Sequence, residues 1–221
     1  MAQPQIILVV LIILGYLAGS IPFGLIVGLA KGVDPRKAGS GNIGATNVGR
    51  LLGGRFFAIV FTLDLLKSLI PMILAGLVVH HAARQGQYDW RMYLLWLLVG
   101  FAAILGHMFP IYLAFKGGKG VATSAGVMLG LYPFYTLPAI AAILTWLVVF
   151  LIWRYVSLAS IVGAIAFPIA YIIIAVASHW PLLRQQLPLL IFAVVVGALV
   201  VVKHRSNISR LLAGTEHGFR K

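Results

Sequence analysis

The chain has 221 residues, of which 62% are hydrophobic and only 10% are charged. This balance excludes a soluble globular enzyme, and it leaves room for several membrane spans of about 20 residues but for no separate soluble domain. The formal net charge is +13, yet the basic residues stand at the ends of apolar runs, which indicates a basic membrane face rather than a nucleic-acid surface.

Hydropathy predicts a series of apolar helices along the chain. The first apolar run is too long for a signal peptide and lacks a basic leader, so we interpret it as a retained span. The clear spans are predicted at residues 6–30, 56–79, 92–115, 157–177 and 187–202.

Residues 121–153 need separate treatment, because one helix of this length would extend about 50 Å across a hydrocarbon core of about 30 Å. The segment contains Pro133 and Pro138 within the sequence YPFYTLP. Proline interrupts helices and favours turns, so we predict two short spans joined by a tight turn.

The distribution of lysine and arginine favours seven spans, with the N-terminus outside and the C-terminus in the cytoplasm. In that arrangement 13 of the 17 basic residues, Arg220 and Lys221 included, lie at cytoplasmic ends, whereas Asp89 lies in an outer loop. The sequence therefore predicts an all-α integral membrane protein, with residues 1–221 forming a single transmembrane domain. Its cytoplasmic motifs are residues 31–55, 115–124, 154–160 and 203–219.

The first polar stretch is residues 39–50, GSGNIGATNVGR. Its glycines match the dinucleotide-binding pattern G-x-G-x-x-G, but that fold needs a preceding strand and the neighbours here are membrane helices. Glycines let successive backbone N–H groups face one concavity, and neutral side-chain donors add to it. We therefore favour a phosphate-binding loop over a plain flexible loop; its glycines are Gly39, Gly41 and Gly44, and its polar side chains are Ser40, Asn42, Thr46 and Asn47.

The second polar stretch, KGGKG at residues 116–120, runs into a helix predicted to begin near Val121. A helix N-terminus offers unpaired N–H donors, and Lys119 adds a full charge, which together suit a phosphate monoester. A basic cytoplasmic turn would account for the two lysines but not for the three glycines, Gly117, Gly118 and Gly120. The stretch does not match a Walker A loop.

Two further polar stretches lie near the cytoplasmic ends of later spans. In residues 154–160 (RYVSLAS) the pattern is typical of a helix boundary with Ser157 as its cap. After the last predicted span, His204 and Asn207 are three residues apart, which predicts that they share one helix face and can address one ligand.

The charged residues within predicted spans have simpler interpretations. Asp64 and Lys67 are three residues apart in one span, which predicts a structural ion pair screened from lipid. His107 is interpreted as a packed helix residue. No histidine spacing resembles a metal site, so we expect neither a metal nor a cofactor.

In combination, these motifs resemble the bacterial acyl-phosphate-dependent glycerol-3-phosphate acyltransferases, the PlsY family. The resemblance runs nearly end to end. It is carried by GSIPFGLIVG (19–28), GSGNIGATN (39–47), LDLLKS (63–68), GHMFPIYLAFKGGKGVATSAG (106–126), RYVSLAS (154–160) and KHRSNISRLLAGTEHGF (203–219).

The resemblance implies seven membrane helices and transfer of an acyl group from acyl phosphate to the 1-hydroxyl of glycerol 3-phosphate. It implies essential roles for Ser40 and Arg50, a glycerol-phosphate loop at Gly117–Gly120 with Lys119, and functional residues His204 and Asn207. It further implies substrate contacts at Thr46, Asn47 and Ser157 and a structural role for Glu216. We expect a monomer in the bacterial inner membrane, with its site facing the cytoplasm and lipids as its surroundings.

The residues make this chemistry reasonable, because an acyl phosphate is already activated and needs chiefly alignment and charge neutralisation. The proton acceptor is either His204 or the donor phosphate, and the resemblance favours the phosphate. Ser40 is interpreted as a hydrogen-bond donor, since GSGNI is not a nucleophile elbow. The alternatives are a small anion or phosphate transporter and a non-catalytic lipid-binding scaffold.

Overall fold

The computed structural model describes residues 3–86 and 90–218, and this part of the chain contains helices and turns but no strand. Asp89, which is predicted to lie in an outer loop, the last motif residue Phe219, and the basic residues Arg220 and Lys221 lie outside the described residues. The helices are α1 (Pro4–Ser20), α2 (Phe23–Ala30), α3 (Ala45–Leu52), α4 (Gly54–Arg84), α5 (Trp90–Met108), a 3₁₀ turn (Ile111–Leu113), α6 (Val121–Gly130), α7 (Thr136–Trp153), α8 (Val156–Ala177), α9 (Leu187–Lys203) and α10 (Arg205–Leu212).

Five helical segments of the described chain are long and apolar enough to cross a membrane. A sixth is added if α9 and α10, which meet at 58°, count as one bent span, whereas α6 is shorter. The all-helical membrane architecture is confirmed, and the count of seven crossings stays a prediction. The candidate spans are Pro4–Ala30, Gly54–Arg84, Trp90–Leu113, Thr136–Trp153 and Val156–Ala177.

The predicted interruption of residues 121–153 is confirmed. Helix α6 ends at Gly130 and α7 begins at Thr136, with turn residues between them. Pro133 lies in this turn. Pro138 lies within the first turn of α7, where its missing N–H would have no helical partner in any case.

The first span contains a break that the sequence analysis did not predict. Helix α1 ends at Ser20 and α2 begins at Phe23, so Ile21 and Pro22 interrupt the helical hydrogen bonding. Proline has no N–H and restricts the residue before it, which accounts for a break at this pair. The Ile21 carbonyl accepts a hydrogen bond from Lys67 Nζ at 2.9 Å instead.

The chain divides into two compact units, which we call unit 1 (residues up to Tyr132) and unit 2 (residues from Pro133). In unit 1, α1 and α5 pack closely and run in the same direction. Gly19 has no room for a Cβ beside the Ala103 carbonyl, and Gly106 none beside the Tyr16 carbonyl. Small residues let membrane helices approach in this way.

Helices α4 and α6 of unit 1 run opposite to α1 and α5. Trp96 Nε1 in α5 donates to the Met72 carbonyl of α4 at 2.9 Å, and Gly126 of α6 packs against the Leu65 carbonyl. With these directions, the segment between α2 and α4 and the segment between α5 and α6 lie at the same end of the helices. Both glycine-rich stretches therefore lie at one end of unit 1.

Unit 2 is built on α7, α8 and α9, which pack antiparallel in chain order. Trp146 Nε1 of α7 donates to Ser160 Oγ of α8 at 3.2 Å, and Gly197 of α9 packs against the Ala164 carbonyl of α8. At the other end, the buried Tyr135 ring packs edge-on against Phe167. The end of α7, the start of α8, and α10 with its tail consequently share one end of unit 2.

Candidate functional site

The first glycine-rich loop is organised by one buried side chain, that of Asn47. Asn47 is 1% exposed; its Oδ1 accepts the Ser40 N–H at 2.9 Å. Its Nδ2 donates to the carbonyls of Pro35 (2.9 Å), Ala38 (3.1 Å) and Asn42 (2.9 Å). These bonds satisfy backbone groups that no regular structure pairs, so Asn47 fixes the course of the loop from inside.

The glycines of this loop are required by its backbone. Gly39 and Gly41 have φ of +60° and +71°, a region that residues with a Cβ rarely adopt. Gly39 also packs directly against the Asn47 side chain, and the Gly44 N–H donates to Asn42 Oδ1 at 2.9 Å. The loop is therefore ordered and its shape is set by these local bonds, and phosphate binding by the loop stays a prediction.

The loop presents the Ser40 hydroxyl at its surface. Ser40 is exposed, and its side chain has no hydrogen-bond partner among the described residues, whereas its backbone N–H is held by Asn47. Thr46, in the first turn of α3, and Arg50, in its last turn, are both half-buried.

An ion pair flanks this loop on its N-terminal side. Arg36 Nη2 lies 2.8 Å from Asp34 Oδ2, and its Nε contacts the same carboxylate. The hydrogen bond from Arg36 lowers the pKa of Asp34 to about 2. Asp34 is therefore ionised at neutral pH and unsuited to accept a proton from a substrate.

The second glycine-rich loop packs on the end of α5. The Gly118 N–H donates to the His107 carbonyl at 3.0 Å, and a Cβ on Gly118 would collide with the His107 ring. Gly117 similarly leaves no room beside the His107 carbonyl and Pro110, and Gly120 has φ of +81°. Close packing thus accounts for the glycines that a basic turn left unexplained.

Lys119 is half-buried in this loop and is followed by Gly120, the N-cap of α6, which begins at Val121 as predicted. The structure therefore places Ser40 and Lys119 in the two glycine-rich loops, and Arg50 in the short helix α3, at one end of unit 1. Cationic side chains and backbone donors at such a position suit a phosphate group.

Within α4, the predicted ion pair between Asp64 and Lys67 is confirmed. Lys67 Nζ lies 2.7 Å from Asp64 Oδ1, and both side chains are almost completely buried. His107 is 6% exposed and packed within α5, as predicted, and its Nδ1 lies 3.6 Å from the same Asp64 oxygen.

In unit 2, the carboxylate of Glu216 connects three polar side chains. Its Oε1 accepts from Ser157 Oγ and from Asn207 Nδ2, each at 2.8 Å, and its Oε2 accepts from Arg210 Nε at 2.8 Å. Glu216 is 7% exposed. Burial alone would raise the pKa of Glu216, but the hydrogen bonds from Asn207, Arg210 and Ser157 outweigh it, and the pKa lies below its usual value.

The prediction that Ser157 caps a helix is wrong. Helix α8 does begin near it, at Val156, but its N-cap is Tyr155 and no side chain makes a capping bond. The Ser157 hydroxyl donates to Glu216 instead. Glu216 was expected to be structural only by resemblance. Arg210 and Asn207 precede it in the same tail, whereas Ser157 is 59 residues away, and a lone acidic residue in a basic tail was the available signal.

His204 and Asn207 lie at the junction of α9 and α10, and both are 3% exposed. His204 is the N-cap of α10 rather than a residue of that helix, so the predicted shared helix face is replaced by a bend. His204 Nδ1 lies 2.7 Å from the Val200 carbonyl, which only accepts, so Nδ1 carries a proton and the neutral ring has its lone pair on Nε2.

Across the described residues, no group of three or more His, Asp or Glu side chains is arranged to hold a metal ion. The polar groups described in the two units are hydroxyls, amides, cations, backbone N–H groups, imidazole rings and three carboxylates, each of which is paired.

Comparison with known proteins gives consistent matches along the whole chain. A family model described as glycerol-3-phosphate acyltransferase matches residues 9–214. The chain is 44% identical to the glycerol-3-phosphate acyltransferase of Aquifex aeolicus, over 95% of this chain and 97% of the relative. It is also 44% identical to that of Trichlorobacter lovleyi, over 93% of this chain and 94% of the relative.

Solved structures give the same result. The chain is similar to PlsY, an integral membrane glycerol 3-phosphate acyltransferase, in its glycerol 3-phosphate form, with a TM-score of 0.78, 42% identity and 96% of both chains covered. It is likewise similar to the lysophosphatidic acid form, with a TM-score of 0.76, 41% identity, and 96% of this chain and 95% of the other covered.

Proposed function

This chain belongs to the glycerol-3-phosphate acyltransferase family, and from that premise we propose that it transfers a fatty acyl group from an acyl phosphate to the 1-hydroxyl of glycerol 3-phosphate. The products are lysophosphatidate and inorganic phosphate. The observation that carries the proposal is the match over 96% of the chain to PlsY, whose structures are described as glycerol 3-phosphate and lysophosphatidic acid forms.

In the proposed reaction, the 1-hydroxyl oxygen attacks the acyl carbonyl carbon and the bond from that carbon to the phosphate oxygen breaks. The departing phosphate takes the proton of the hydroxyl, so that no side chain changes its protonation state overall. This route is supported by the scarcity of carboxylates, since Asp34 is paired with Arg36 and Glu216 already accepts three hydrogen bonds. Positioning and charge neutralisation then supply most of the catalysis.

We assign the catalytic roles to five polar residues. Arg50 and Lys119 neutralise phosphate charge, and the exposed Ser40 hydroxyl donates a hydrogen bond to a substrate oxygen. His204 and Asn207 orient substrate groups, with His204 restricted to one tautomer by the Val200 carbonyl.

Among the substrate-binding residues, we assign some to direct contact and others to shaping the loops. Thr46 is half-buried and contacts substrate, whereas Asn47 acts through the loop, because its amide is engaged by the loop backbone. Ser157 acts through Glu216. The loop-shaping residues are Gly39, Gly41, Asn42, Gly44, Gly117, Gly118 and Gly120.

Ser40 is proposed as a donor and not as a covalent nucleophile. Its hydroxyl has no basic partner among the described residues, and an unactivated serine is a weak nucleophile. Incubation with radiolabelled acyl phosphate, followed by rapid acid quenching, should give no labelled protein. A labelled peptide containing Ser40, absent from a Ser40→Ala variant, would overturn this assignment.

The donor is tested by offering the purified protein the same acyl chain as a phosphate anhydride or as a thioester. We expect lysophosphatidate from the acyl phosphate only, measured by mass spectrometry. Equal formation from a thioester would contradict the proposed donor while leaving an acyltransferase in place.

For topology, we propose seven crossings by a monomer in the bacterial inner membrane, with the N-terminus outside and the glycine-rich loops in the cytoplasm. The basic residues near these loops support this orientation under the positive-inside rule. Because the sequence has no cysteine, a cysteine at the exposed Lys116 can be labelled selectively. Labelling by a membrane-impermeant maleimide in inside-out but not in right-side-out vesicles is expected, and the reverse pattern would contradict the orientation.

A further inference from the structure

Three charged or titratable side chains of unit 1, Asp64, Lys67 and His107, form what we call the buried charge cluster. Lys67 Nζ and His107 Nδ1 lie 2.7 Å and 3.6 Å from Asp64 Oδ1. Each of the three residues is at most 7% exposed. The cluster is thus enclosed by α4, α5 and the break between α1 and α2 rather than facing lipid.

Stability alone is a weak explanation for such a cluster. Replacement of a buried ion pair by apolar residues is often neutral or stabilising, because removing charges from water is costly. Ionisable groups within membrane helices more often mark function. The contacts that the cluster makes with its surroundings therefore decide its role.

On one side, the cluster supports the break in the first span. Lys67 Nζ donates to the Ile21 carbonyl at 2.9 Å and lies 5.8 Å from the centre of the Phe23 ring. Just beyond the break, Gly24 packs against the carbonyl of Ile43 in the first glycine-rich loop, with no room for a Cβ between them. Lys67 thus fixes the helix that the first loop packs on.

On the other side, the cluster supports the second glycine-rich loop. The His107 ring has its Nδ1 towards Asp64 and its Nε2 edge against Gly118. The His107 carbonyl accepts the Gly118 N–H at 3.0 Å, so both the backbone and the side chain of this residue contact the loop. Lys119 is the next residue along the chain.

We propose that the buried charge cluster positions Lys119. Asp64 sets the orientation of the His107 ring, and the ring, which packs against Gly118, fixes the position of Gly118 and of Lys119 after it. The proposal rests on the proposed function, in which Lys119 neutralises phosphate charge, and we assign to it the phosphate of glycerol 3-phosphate, as the resemblance of residues 117–120 to a glycerol-phosphate loop implies. His107 and Asp64 are then positioning residues, which contact no substrate themselves.

Measurements of KM distinguish a positioning role of the cluster from a contribution to the stability of the fold. His107→Leu keeps a side chain of similar size but removes the ring nitrogens, and we expect it to raise the KM for glycerol 3-phosphate by about tenfold, the effect of one weakened charge-assisted hydrogen bond. The KM for acyl phosphate should change little. His107→Asn, which keeps a polar atom directed towards Asp64 but loses the ring edge against Gly118, should raise this KM less than His107→Leu does.

The matched control is Trp96→Phe. Trp96 lies in the same helix, is 1% exposed, and loses its bond to the Met72 carbonyl when changed to phenylalanine. We expect it to lower thermal stability without changing either KM. Should Trp96→Phe raise the KM for glycerol 3-phosphate as much as His107→Leu, the cluster has only a structural role and the proposal fails.

A distance measurement tests the same idea without any activity. Spin labels at Lys116→Cys and Arg55→Cys, both exposed positions, report the position of the second loop relative to α4. The distance distribution should be narrow in the parent protein and in Trp96→Phe, and broad or shifted in His107→Leu and Asp64→Asn.

The two measurements distinguish failure of this inference from failure of the proposed function. An unchanged distance distribution in folded His107→Leu overturns the inference, whatever the protein catalyses. If the parent protein transfers no acyl group but the distribution broadens in His107→Leu, the positioning of the loop is supported and the proposed reaction is wrong.

Discussion

Glu216→Gln is the substitution that most sharply tests the polar network of unit 2. The carboxylate accepts hydrogen bonds from Ser157, Asn207 and Arg210 at 2.8 Å each. A glutamine has one acceptor oxygen and one NH₂ group. Its oxygen can therefore accept from Ser157 and Asn207 or from Arg210, but not from all three. The NH₂ group then faces a remaining donor, and the buried site loses its negative charge.

The expected loss follows from these contacts. A hydrogen bond to a charged group contributes about 1.5–3 kcal/mol, and each kcal/mol shifts the Tm of a chain of this size by about 2–4 °C, so Glu216→Gln should lower Tm by about 3–12 °C. The kcat should fall as well, because the network that orients Asn207 loses its negative charge and one of its two acceptor oxygens.

The pH dependence of thermal stability provides an independent test of the Glu216 carboxylate. Because the folded state lowers the pKa of Glu216 below its ordinary value of 4.5, the stabilisation from this carboxylate is complete above about pH 4.5 and is lost as the pH falls towards the folded-state pKa. Thermal unfolding in detergent between pH 7 and pH 3 should therefore show a steeper acid loss in the parent protein than in Glu216→Gln.

The control is Asp34→Asn, which removes a half-buried carboxylate paired with the exposed Arg36. Exposed ion pairs contribute little to stability, so its Tm at pH 7 should match that of the parent. If Glu216→Gln unfolds at the parent temperature and retains the parent kcat, the carboxylate does not organise this region and our reasoning is refuted.

Two further changes test the glycine-rich loops of unit 1. Gly118→Ala places a methyl group against the His107 ring, and overpacking of this kind costs about 1–3 kcal/mol of stability. The KM for glycerol 3-phosphate should therefore rise. In the control, Gly54→Ala, nothing lies within 4 Å of the added Cβ, so this KM should stay unchanged. Asn47→Asp keeps the side-chain shape but turns its donor into an acceptor facing the carbonyls of its own loop, so protease digestion should cut the loop faster and activity should be lost. Equal kinetics for the two alanine variants, or a protease-resistant Asn47→Asp protein, would contradict these expectations.

The fold could be predicted largely because hydrophobic length and proline position dominate it. The break before α7 follows from a segment too long for one crossing and from Pro133 at its middle. The break at Pro22 carried a comparable signal but lies inside a continuous apolar run, where Pro71 and Pro168 are tolerated within helices. Whether a proline interrupts a helix depends on whether another donor can reach the carbonyl left without a helical partner. Here Lys67 reaches the Ile21 carbonyl, and only the packing of the helices brings it there.

The candidate site could be predicted in its residue types but not in its internal contacts. Loop glycines and the pair of Asp64 with Lys67 follow from local spacing, and the pair is confirmed at 2.7 Å. The bond from Ser157 to Glu216 joins residues far apart in the chain, so local reasoning assigned Ser157 to a helix cap instead. Long-range polar contacts of this kind depend on how helices pack, which periodicity does not encode.

The central claim, acyl transfer between two phosphate-bearing substrates, is tested most directly by phosphate release from the purified protein in detergent. With acyl phosphate and glycerol 3-phosphate together, we predict stoichiometric release of inorganic phosphate and formation of lysophosphatidate, and with either substrate alone neither product should appear. Phosphate release from acyl phosphate alone at the same rate, or liposome uptake of glycerol 3-phosphate without any acylated product, would contradict the account.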